Sequence, residues 1–269
     1  MNTIAFIGGG NMASAIIGGL LKSGRSPGDI LVLEPSADQR SRLQRELQVI
    51  TLEAPGSVLQ RAGTVVWAIK PQNFMAAAEA NLPHIDKALQ FSVMAGIRSD
   101  DMARALATQR VVRSMPNTPA LIGQGIAGLY ARPAVTAAER KEIDKLMAPT
   151  GRTLWVDAEG DLDVVTALSG SGPAYVFYFV EAMTQAAVEM GLSAEQGKQL
   201  ALATFSGSAA LAQASTDTPA VLRERVTSKG GTTHAALTSM EASGIKPAIV
   251  KALKAAQRRA TELGDEFGR

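Results

Sequence analysis

Short apolar runs alternate with helical periodicity over residues 1–160. The strands that this pattern predicts are 3–7, 30–33, 49–51, 64–69, 89–94 and 110–114, with weaker candidates at 125–130 and 153–156. Helical periodicity lies between them, for example at 36–47 and 99–107. Val65–Ile69 and Phe91–Met94 are continuous rather than alternating, which is typical of strands buried on both faces. Strands that alternate with helices predict an α/β fold with a Rossmann-type, doubly wound parallel sheet.

Beyond Asp161 the β-branched runs give way to Ala, Leu, Glu and Gln at helical spacing. The helices expected there are 161–190, 194–214, 218–227, 232–243 and 246–264. Ser193 is the expected N-cap of the second helix, and Gly191 ends the first. We therefore predict two domains, 1–160 with the sheet and 161–269 all-helical. The many alanines of the helical part indicate close packing, partly against another subunit, with a self-contained bundle as the alternative.

Composition narrows the class of protein. The 269 residues are 46% apolar and 19% charged, with a net charge of +2. Because no basic run carries interleaved aromatic residues, we expect no nucleic-acid partner. The chain has no cysteine and two histidines, which argues against a disulfide framework or a metal site. The apolar run Ala174–Val180 is too short to cross a membrane, and the first strand begins at residue 3, so a soluble cytoplasmic protein is expected.

The most informative motif is Gly8–Ala13, which reads G-x-G-x-x-A directly after the apolar run Ile4–Ile7. A strand that enters such a turn lets the backbone approach a pyrophosphate, and the N–H groups of the following helix then face the anion. Glu34 ends the second strand, 24 residues after Gly10, near where a ribose-binding group is expected. We therefore expect a bound dinucleotide.

Two further segments lie at the carboxyl ends of predicted strands, where doubly wound sheets bind ligands. Ala68–Pro71 lies at the C-terminal end of a central strand, and Lys70 is either near the cofactor or simply solvated. Ser114–Pro119 follows Val111 and Val112 at the carboxyl edge of another strand. Within it, Asn117 could hydrogen-bond a nicotinamide amide or the backbone of a catalytic loop, and a purely structural turn is the alternative.

The helical part contains two segments rich in glycine and hydroxyl groups. Ser169–Pro173 interrupts an apolar helix, and a mid-helix proline alone costs about 3 kcal/mol in propensity. Such a break serves either a packing kink or the exposure of backbone donors to a ligand. Ser228–Thr233 precedes a helix, and Gly-Gly-Thr-Thr at a helix N-terminus predicts a nest for a small carboxylate, with a simple N-cap as the alternative.

The groups that are missing from these segments constrain the reaction. Neither contains a carboxylate, and only His234 and Lys229 are titratable nearby. A ketone that accepts hydride normally needs a general acid for the forming alkoxide. A protonated imine is already electrophilic and yields an amine. A site of backbone donors and hydroxyls could therefore reduce a cyclic iminium by orientation and carboxylate binding.

The chain resembles the pyrroline-5-carboxylate reductase family over nearly its full length. The motifs that carry the resemblance are Phe6–Ala13, Lys70–Pro71, Met115–Pro119, Ser169–Tyr175 and Gly230–Thr233. The resemblance implies reduction of 1-pyrroline-5-carboxylate to L-proline, the last step of proline biosynthesis, with NAD(P)H as hydride donor. It also implies a helical domain that interlocks with that of a partner, giving homodimers that often assemble into larger rings.

Together with these motifs, the resemblance assigns site residues by position. The cofactor-binding set is Gly8, Gly10, Asn11, Met12, Glu34, Ser36, Ala68, Lys70, Pro71 and Asn117. The substrate-binding set is Gly172, Gly230, Gly231 and Thr232. Thr233 matches the hydroxyl that contacts the ring nitrogen, and it is assigned with Ser171 as catalytic. No metal ligand, nucleic acid or membrane is expected.

Two departures and two alternatives complete the prediction. Lys229 stands where the family often has proline, which adds charge or mobility to that loop. Glu34 favours a free ribose hydroxyl and hence NADH, whereas Ser36 and Arg40 could serve the extra phosphate of NADPH, which we favour. A β-hydroxyacid dehydrogenase would need a catalytic lysine in the helical part, for which Lys198 is the candidate. The other alternative is a non-catalytic NAD(P)-binding regulator, but in such a protein the two glycine-rich segments would have no explanation.

Overall fold

A computed structural model describes residues 3–267, and contacts between its residues divide the chain into two compact units. The sheet unit comprises Met1–Ser171 and Ala256–Arg269, and the helical unit comprises Gly172–Ala255. This division differs from the predicted boundary at residue 160. Residues 161–171 fall in the sheet unit because they pack on the sheet, where Val165 lies so close to Gly128 that a Cβ there would come within 2.6 Å.

The sheet unit contains all eight predicted strands. They are β1 (Thr3–Ile7), β2 (Ile30–Leu33), β3 (Ile50–Leu52), β4 (Ala62–Trp67), β5 (Leu89–Ser92), β6 (Val111–Met115), β7 (Gly125–Ala131) and β8 (Gly151–Trp155). Their order in the single sheet is β3-β2-β1-β4-β5-β6-β7-β8. Neighbours pair in parallel except β6 and β7, which are antiparallel. The predicted α/β class is confirmed, and the reversal at β7 is a feature that the apolar pattern did not reveal.

Helices connect the strands and form the helical unit. Those of the sheet unit are α1 (Asn11–Lys22), α2 (Ala37–Leu47), α3 (Phe74–Ile85), α4 (Ser99–Ala105), α5 (Ala137–Met147) and α6 (Asp161–Val165). The others are α7 (Gly172–Glu189), α8 (Ala194–Ala214), α9 (Pro219–Arg225), α10 (Thr232–Ala242) and α11 (Ile245–Phe267), whose last residues lie in the sheet unit. The single helix predicted over 161–190 is instead α6, a π-helical turn at Thr166–Gly170, and α7.

Hydrophobic side chains cover both faces of the sheet. Successive residues of a strand point to opposite faces, so Phe6 packs in one buried cluster with helix α1 and Ala5 packs in the other with helix α3. Trp67 is fully buried, meets Phe74 edge-to-face at 5.2 Å, and donates its indole N–H to Gln90 at 2.8 Å. A buried polar group with such a partner avoids the penalty of an unmade hydrogen bond.

The helical unit has a different character. Helices α7 and α8 pack so tightly that a Cβ on Gly197 would come within 2.7 Å of Ala187. Large apolar side chains of the same helices nevertheless face outward, including Tyr178 at 69% and Leu211 at 62% exposure. Between residues 3 and 267, no helix combines the length and apolar character needed to cross a bilayer.

Candidate active site

The glycine turn joins β1 to α1 in the geometry that a dinucleotide requires. Gly8 has a φ of +97°, and a Cβ there would come within 2.6 Å of the Ala68 carbonyl oxygen, so only glycine fits. Gly10 is exposed, and apart from its chain neighbours no described residue has an atom within 4 Å of the position that its Cβ would take. Gly10 is also the N-cap of α1 and offers no side-chain cap. The first N–H groups of α1, including those of Asn11 and Met12, are therefore open to an anion such as a pyrophosphate.

The Glu34 carboxylate braces this turn. Its Oε2 accepts a hydrogen bond from the Gly9 backbone N–H at 2.9 Å, and its Oε1 accepts one from the Ser36 N–H at 3.0 Å. The side-chain amide of Gln39 donates to the backbone carbonyl of the same residue, Gly9. The sequence placed Glu34 near a ribose but did not reveal that it also holds the turn, and it gave no signal for Gln39.

Arg40 lies alongside Glu34 at the start of α2. Its Nη1 donates to the backbone carbonyls of Glu34 at 2.9 Å and Pro35 at 2.7 Å. Its Nη2 pairs with Glu53 at 3.1 Å, and the side chain is only 17% exposed. A guanidinium group is thus fixed next to the exposed N-cap residue Ser36, where a cofactor phosphate is expected.

The segment after β4 approaches the glycine turn through its backbone. Ala68 donates its N–H to the Ile7 carbonyl at 2.9 Å, and its own carbonyl is the atom that lies next to Gly8. Lys70 is exposed and precedes a short 3-10 turn at Pro71–Asn73. The structure therefore brings Ala68 to the turn, whereas the Lys70 ammonium has no protein partner within the described chain.

A third part of the sheet unit holds Asn117 and Ser171. Asn117 follows β6 and binds the backbone of Ser169 and Ile126 through its side-chain amide. Ser171 ends the π-helical turn, where its N–H donates to the Thr166 carbonyl at 2.8 Å. Of the two roles considered for Asn117, the bond to the loop backbone is the one that the structure contains. The Ser171 side chain is half-buried.

The remaining predicted residues lie in the helical unit, mostly at the N-terminus of α10. Gly230 has a φ of +74°, and Gly231 is the N-cap of α10, with no side-chain cap. Thr232 is exposed and Thr233 is half-buried. Neither threonine hydroxyl has a hydrogen-bond partner among the described residues, so the helix end offers both hydroxyl and backbone donors. Gly172 begins α7 and has open space where a Cβ would be.

Two other kinds of chemistry lack support. No group of three His, Cys, Asp or Glu side chains within residues 3–267 is arranged to hold a metal ion. Lys198, the candidate base of a β-hydroxyacid dehydrogenase, is 58% exposed and lies 4.0 Å from Glu195 of its own helix. A solvated lysine of this kind is no different from an ordinary surface residue.

A Rossmann-type sheet unit with an open glycine turn, together with a helical unit, defines a dinucleotide-dependent oxidoreductase. The family model described as NADP oxidoreductase, coenzyme F420-dependent, matches residues 3–96, and the one described as pyrroline-5-carboxylate reductase dimerisation matches residues 159–263.

The chain belongs to the pyrroline-5-carboxylate reductase family. It is 42% identical over 267 residues to the pyrroline-5-carboxylate reductase of Pseudomonas aeruginosa, covering 98% of both chains. The structure of the corresponding Coxiella burnetii reductase is 33% identical, with a TM-score of 0.90 over 97% of this chain and 98% of the other. The Plasmodium falciparum reductase, solved with NADP bound, is 26% identical, with a TM-score of 0.86 over 98% of both chains.

Proposed function

We propose that this protein reduces 1-pyrroline-5-carboxylate to L-proline with NAD(P)H, the final step of proline biosynthesis, in the cytoplasm. Full-length similarity to reductases of that name supports the reaction. The observation in this chain that carries the proposal is the N-terminus of α10, where the hydroxyls of Thr232 and Thr233 have no hydrogen-bond partner among residues 3–267. This helix end suits a small carboxylate ligand.

The glycine turn fits the cofactor. The N–H groups at the start of α1 would hold the pyrophosphate between Gly8 and Met12, and Glu34 and Ser36 would bind the adenosine ribose. Ala68, Lys70 and Pro71 would line the nicotinamide side, because they follow β4 at the carboxyl edge of the sheet. When bound, NAD(P)H supplies the hydride.

The residues of the helical unit would bind the substrate. Gly230, Gly231 and Thr232 would hold its carboxylate with backbone N–H groups and a hydroxyl, and Gly172 would leave room for the ring. The Thr233 hydroxyl would orient the ring nitrogen and assist its protonation, and the hydroxyl of Ser171, the last residue of the sheet unit before α7, is the second group that we assign to this step. Since an iminium needs no further general acid, this set of groups is sufficient for orientation and charge stabilisation.

Substitution of Thr233 tests the reaction and this pocket together. Thr233→Ala should lower kcat/KM for the imine. The loss should correspond to about 1.5–3 kcal/mol of transition-state stabilisation, which is the contribution of one hydrogen bond to a charged group. The dissociation constant of NADPH without substrate should stay the same. The matched control is Thr238→Ala on the same helix, whose hydroxyl donates to the His234 carbonyl at 2.9 Å.

Two results would contradict this assignment. Loss of NADPH binding in Thr233→Ala would place Thr233 in the cofactor site. The enzymatic proposal itself fails if the assembled wild-type protein shows neither imine-dependent oxidation of NAD(P)H nor proline-dependent reduction of NAD(P)⁺ at high pH.

We further propose NADPH as the preferred donor, with NADH as the alternative. The Glu34 carboxylate already accepts two backbone N–H groups, and the fixed Arg40 guanidinium supplies positive charge beside it. Arg40→Gln should therefore reduce kcat/KM with NADPH more than with NADH. Arg42→Gln, which removes an exposed pair with Glu46 on the same helix, is the control. Equal losses with both donors would contradict the preference.

The assembly that we propose is a homodimer through the helical domain, residues 161–269, with dimers joined into a larger ring. The match of residues 159–263 to the family's dimerisation model supports the dimer, as do the exposed apolar side chains of α7 and α8. Light scattering after size exclusion distinguishes the two assembly states, since a dimer and a ring of dimers differ several-fold in mass.

A further inference from the structure

Asn117 uses both ends of its side-chain amide to bind the backbone of the sheet unit. Its Nδ2 donates to the Ser169 carbonyl at 3.1 Å, and its Oδ1 accepts the Ile126 N–H at 3.0 Å. The residue is only 9% exposed. One Nδ2 hydrogen and one Oδ1 lone pair are still free, but a side chain that is this buried and held at both ends presents little surface to a ligand, which argues against a direct contact between Asn117 and the cofactor.

The Ser169 carbonyl needs such a partner for a reason that lies in the sequence. In an α-helix it would accept the N–H of the residue four positions later, which is Pro173 and has none. The chain forms a π-helical turn at Thr166–Gly170 instead. Carbonyls at such irregularities must find other donors when they are shielded from water. The Asn117 amide provides a donor that Pro173 cannot.

Other contacts hold the same segment against the sheet. A Cβ on Gly170 would come within 2.6 Å of the Met115 Cε atom, so the π-helical turn lies directly on the end of β6. At the beginning of the segment, Arg113 of β6 pairs with Glu159 at 2.6 Å, and the Arg113 side chain is 9% exposed. Arg113 and Asn117 therefore fix both ends of the segment that leads from β8 to Ser171.

We propose that Asn117 is a positioning residue: it acts through the Ser169 backbone and sets the position of the Ser171 hydroxyl. This inference rests on the proposed function, which assigns Ser171 to the reaction. Asn117 then contributes to orientation of the substrate and not to affinity for the cofactor. Ser171 is only two residues beyond the bonded carbonyl, so loss of the bond moves the hydroxyl directly.

The variant that tests this most sharply is Asn117→Asp. It preserves the shape of the side chain and an acceptor for the Ile126 N–H, but it replaces the donor to Ser169 with a carboxylate oxygen. We expect kcat to fall about 10- to 100-fold, the scale of a small misplacement in an active site. The NADPH dissociation constant, measured without substrate, should change less than twofold. Gln124→Ala, an exposed amide between β6 and β7, is the control and should behave as wild type.

Opposite results would overturn the proposal. If Asn117 binds the cofactor, the NADPH dissociation constant of Asn117→Asp rises at least tenfold. If Asn117 only fills space, the near-isosteric variant keeps the wild-type kcat.

A second experiment tests whether Asn117 acts through Ser171. In a double-mutant cycle, Asn117→Asp combined with Ser171→Ala should be no slower than Ser171→Ala alone. Multiplicative losses would overturn the proposed route through Ser171.

A readout that does not depend on catalysis separates this inference from the proposed function. In Asn117→Ala the Ile126 amide loses its acceptor, and its hydrogen exchange should accelerate at least tenfold, with the Gln124→Ala control unchanged. Unaltered exchange at Ile126 would overturn the bond from the Ile126 N–H to Asn117, and with it the amide orientation on which the bond to Ser169 depends. If Ser171→Ala leaves kcat intact while exchange at Ile126 accelerates as expected, the contact stands, and the assignment of Ser171 to the reaction is the part that fails.

Discussion

The two units bury their apolar side chains in opposite ways. In the sheet unit, Phe6, Trp67 and Phe91 have no solvent exposure, because helices cover both faces of the sheet. In the helical unit, Phe177 and Tyr178 are 58% and 69% exposed although they lie in a regular helix. The sheet unit thus completes its core within the chain, whereas the helical unit leaves apolar surface of the kind that a second copy covers.

The largest expected effect follows from this contrast and is a loss of stability. Phe91→Ala should reduce the free energy of unfolding by about 3–5 kcal/mol, because a fully packed aromatic ring leaves a cavity. The matched variant Phe177→Ala should have almost no effect on the unbound chain but should make Tm depend more strongly on protein concentration. Denaturant and thermal unfolding at two concentrations measure both. A large concentration-independent loss in Phe177→Ala would show that this side chain is buried within its own unit.

The second prediction concerns assembly. Phe177→Glu combined with Leu211→Glu should raise the dimer dissociation constant at least about 100-fold, since charge replaces apolar contact area. The sheet unit should still bind NADPH, which fluorescence titration can measure. Light scattering measures the mass, with the surface variant Lys145→Glu on α5 of the sheet unit as a control. An unchanged mass would contradict the idea that these side chains lie at the interface.

A third prediction separates packing from ligand binding in the glycine turn. Gly8→Ala should destabilise the fold, because its Cβ would collide with the Ala68 carbonyl at 2.6 Å. Gly10→Ala meets no protein atom, so its stability should match wild type, while its NADPH dissociation constant should rise by about 10- to 100-fold if the pyrophosphate approaches this residue. Calorimetry and fluorescence titration measure the two effects. If Gly10→Ala binds NADPH with wild-type affinity, the pyrophosphate does not bind at this turn.

The smallest effect is the response of the sheet unit to acid. Burial tends to raise the pKa of Glu139, but hydrogen bonds from the Thr136 N–H and Arg110 outweigh it and lower the pKa below its ordinary value of 4.5. The stabilisation is therefore complete above pH 4.5 and is lost as pH falls through the lower, folded-state pKa. Glu139→Gln should flatten the loss of stability in this acid range, measured by urea unfolding across pH. If the free energy of unfolding falls equally with pH in the variant and the wild type, Glu139 does not contribute to the acid response.

Local signals account for what could be predicted from the sequence. The eight strands follow from apolar runs, and Ser193 is the N-cap of α8 as expected, with reciprocal bonds to Gln196 that the structure adds. Each of these depends on residues within a few positions of one another. The glycine turn could be predicted in the same way, because its motif lies within residues 8–13.

What the sequence could not predict depends on partners far along the chain. The Glu34 carboxylate meets the Gly9 N–H across 25 residues, and the Asn117 amide meets the Ser169 carbonyl across 52. Periodicity carries no information on such pairs. The reversed direction of β7 has a different cause, because residues 116–124, which connect β6 to β7, are too few for the crossover that a parallel neighbour requires. The roles of Thr233 and Ser171 stay predictions.

The path of α11 has a consequence for the order of synthesis. The chain leaves the sheet unit once, after Ser171, and re-enters it at Ala256, where Arg98 pairs with Asp265 at 2.6 Å and Phe267 packs beside Gly96. The unit whose strands emerge first from the ribosome therefore receives its final packing element last. Until then, Gly96 and Arg98 lack the contacts that Phe267 and Asp265 provide in the folded protein.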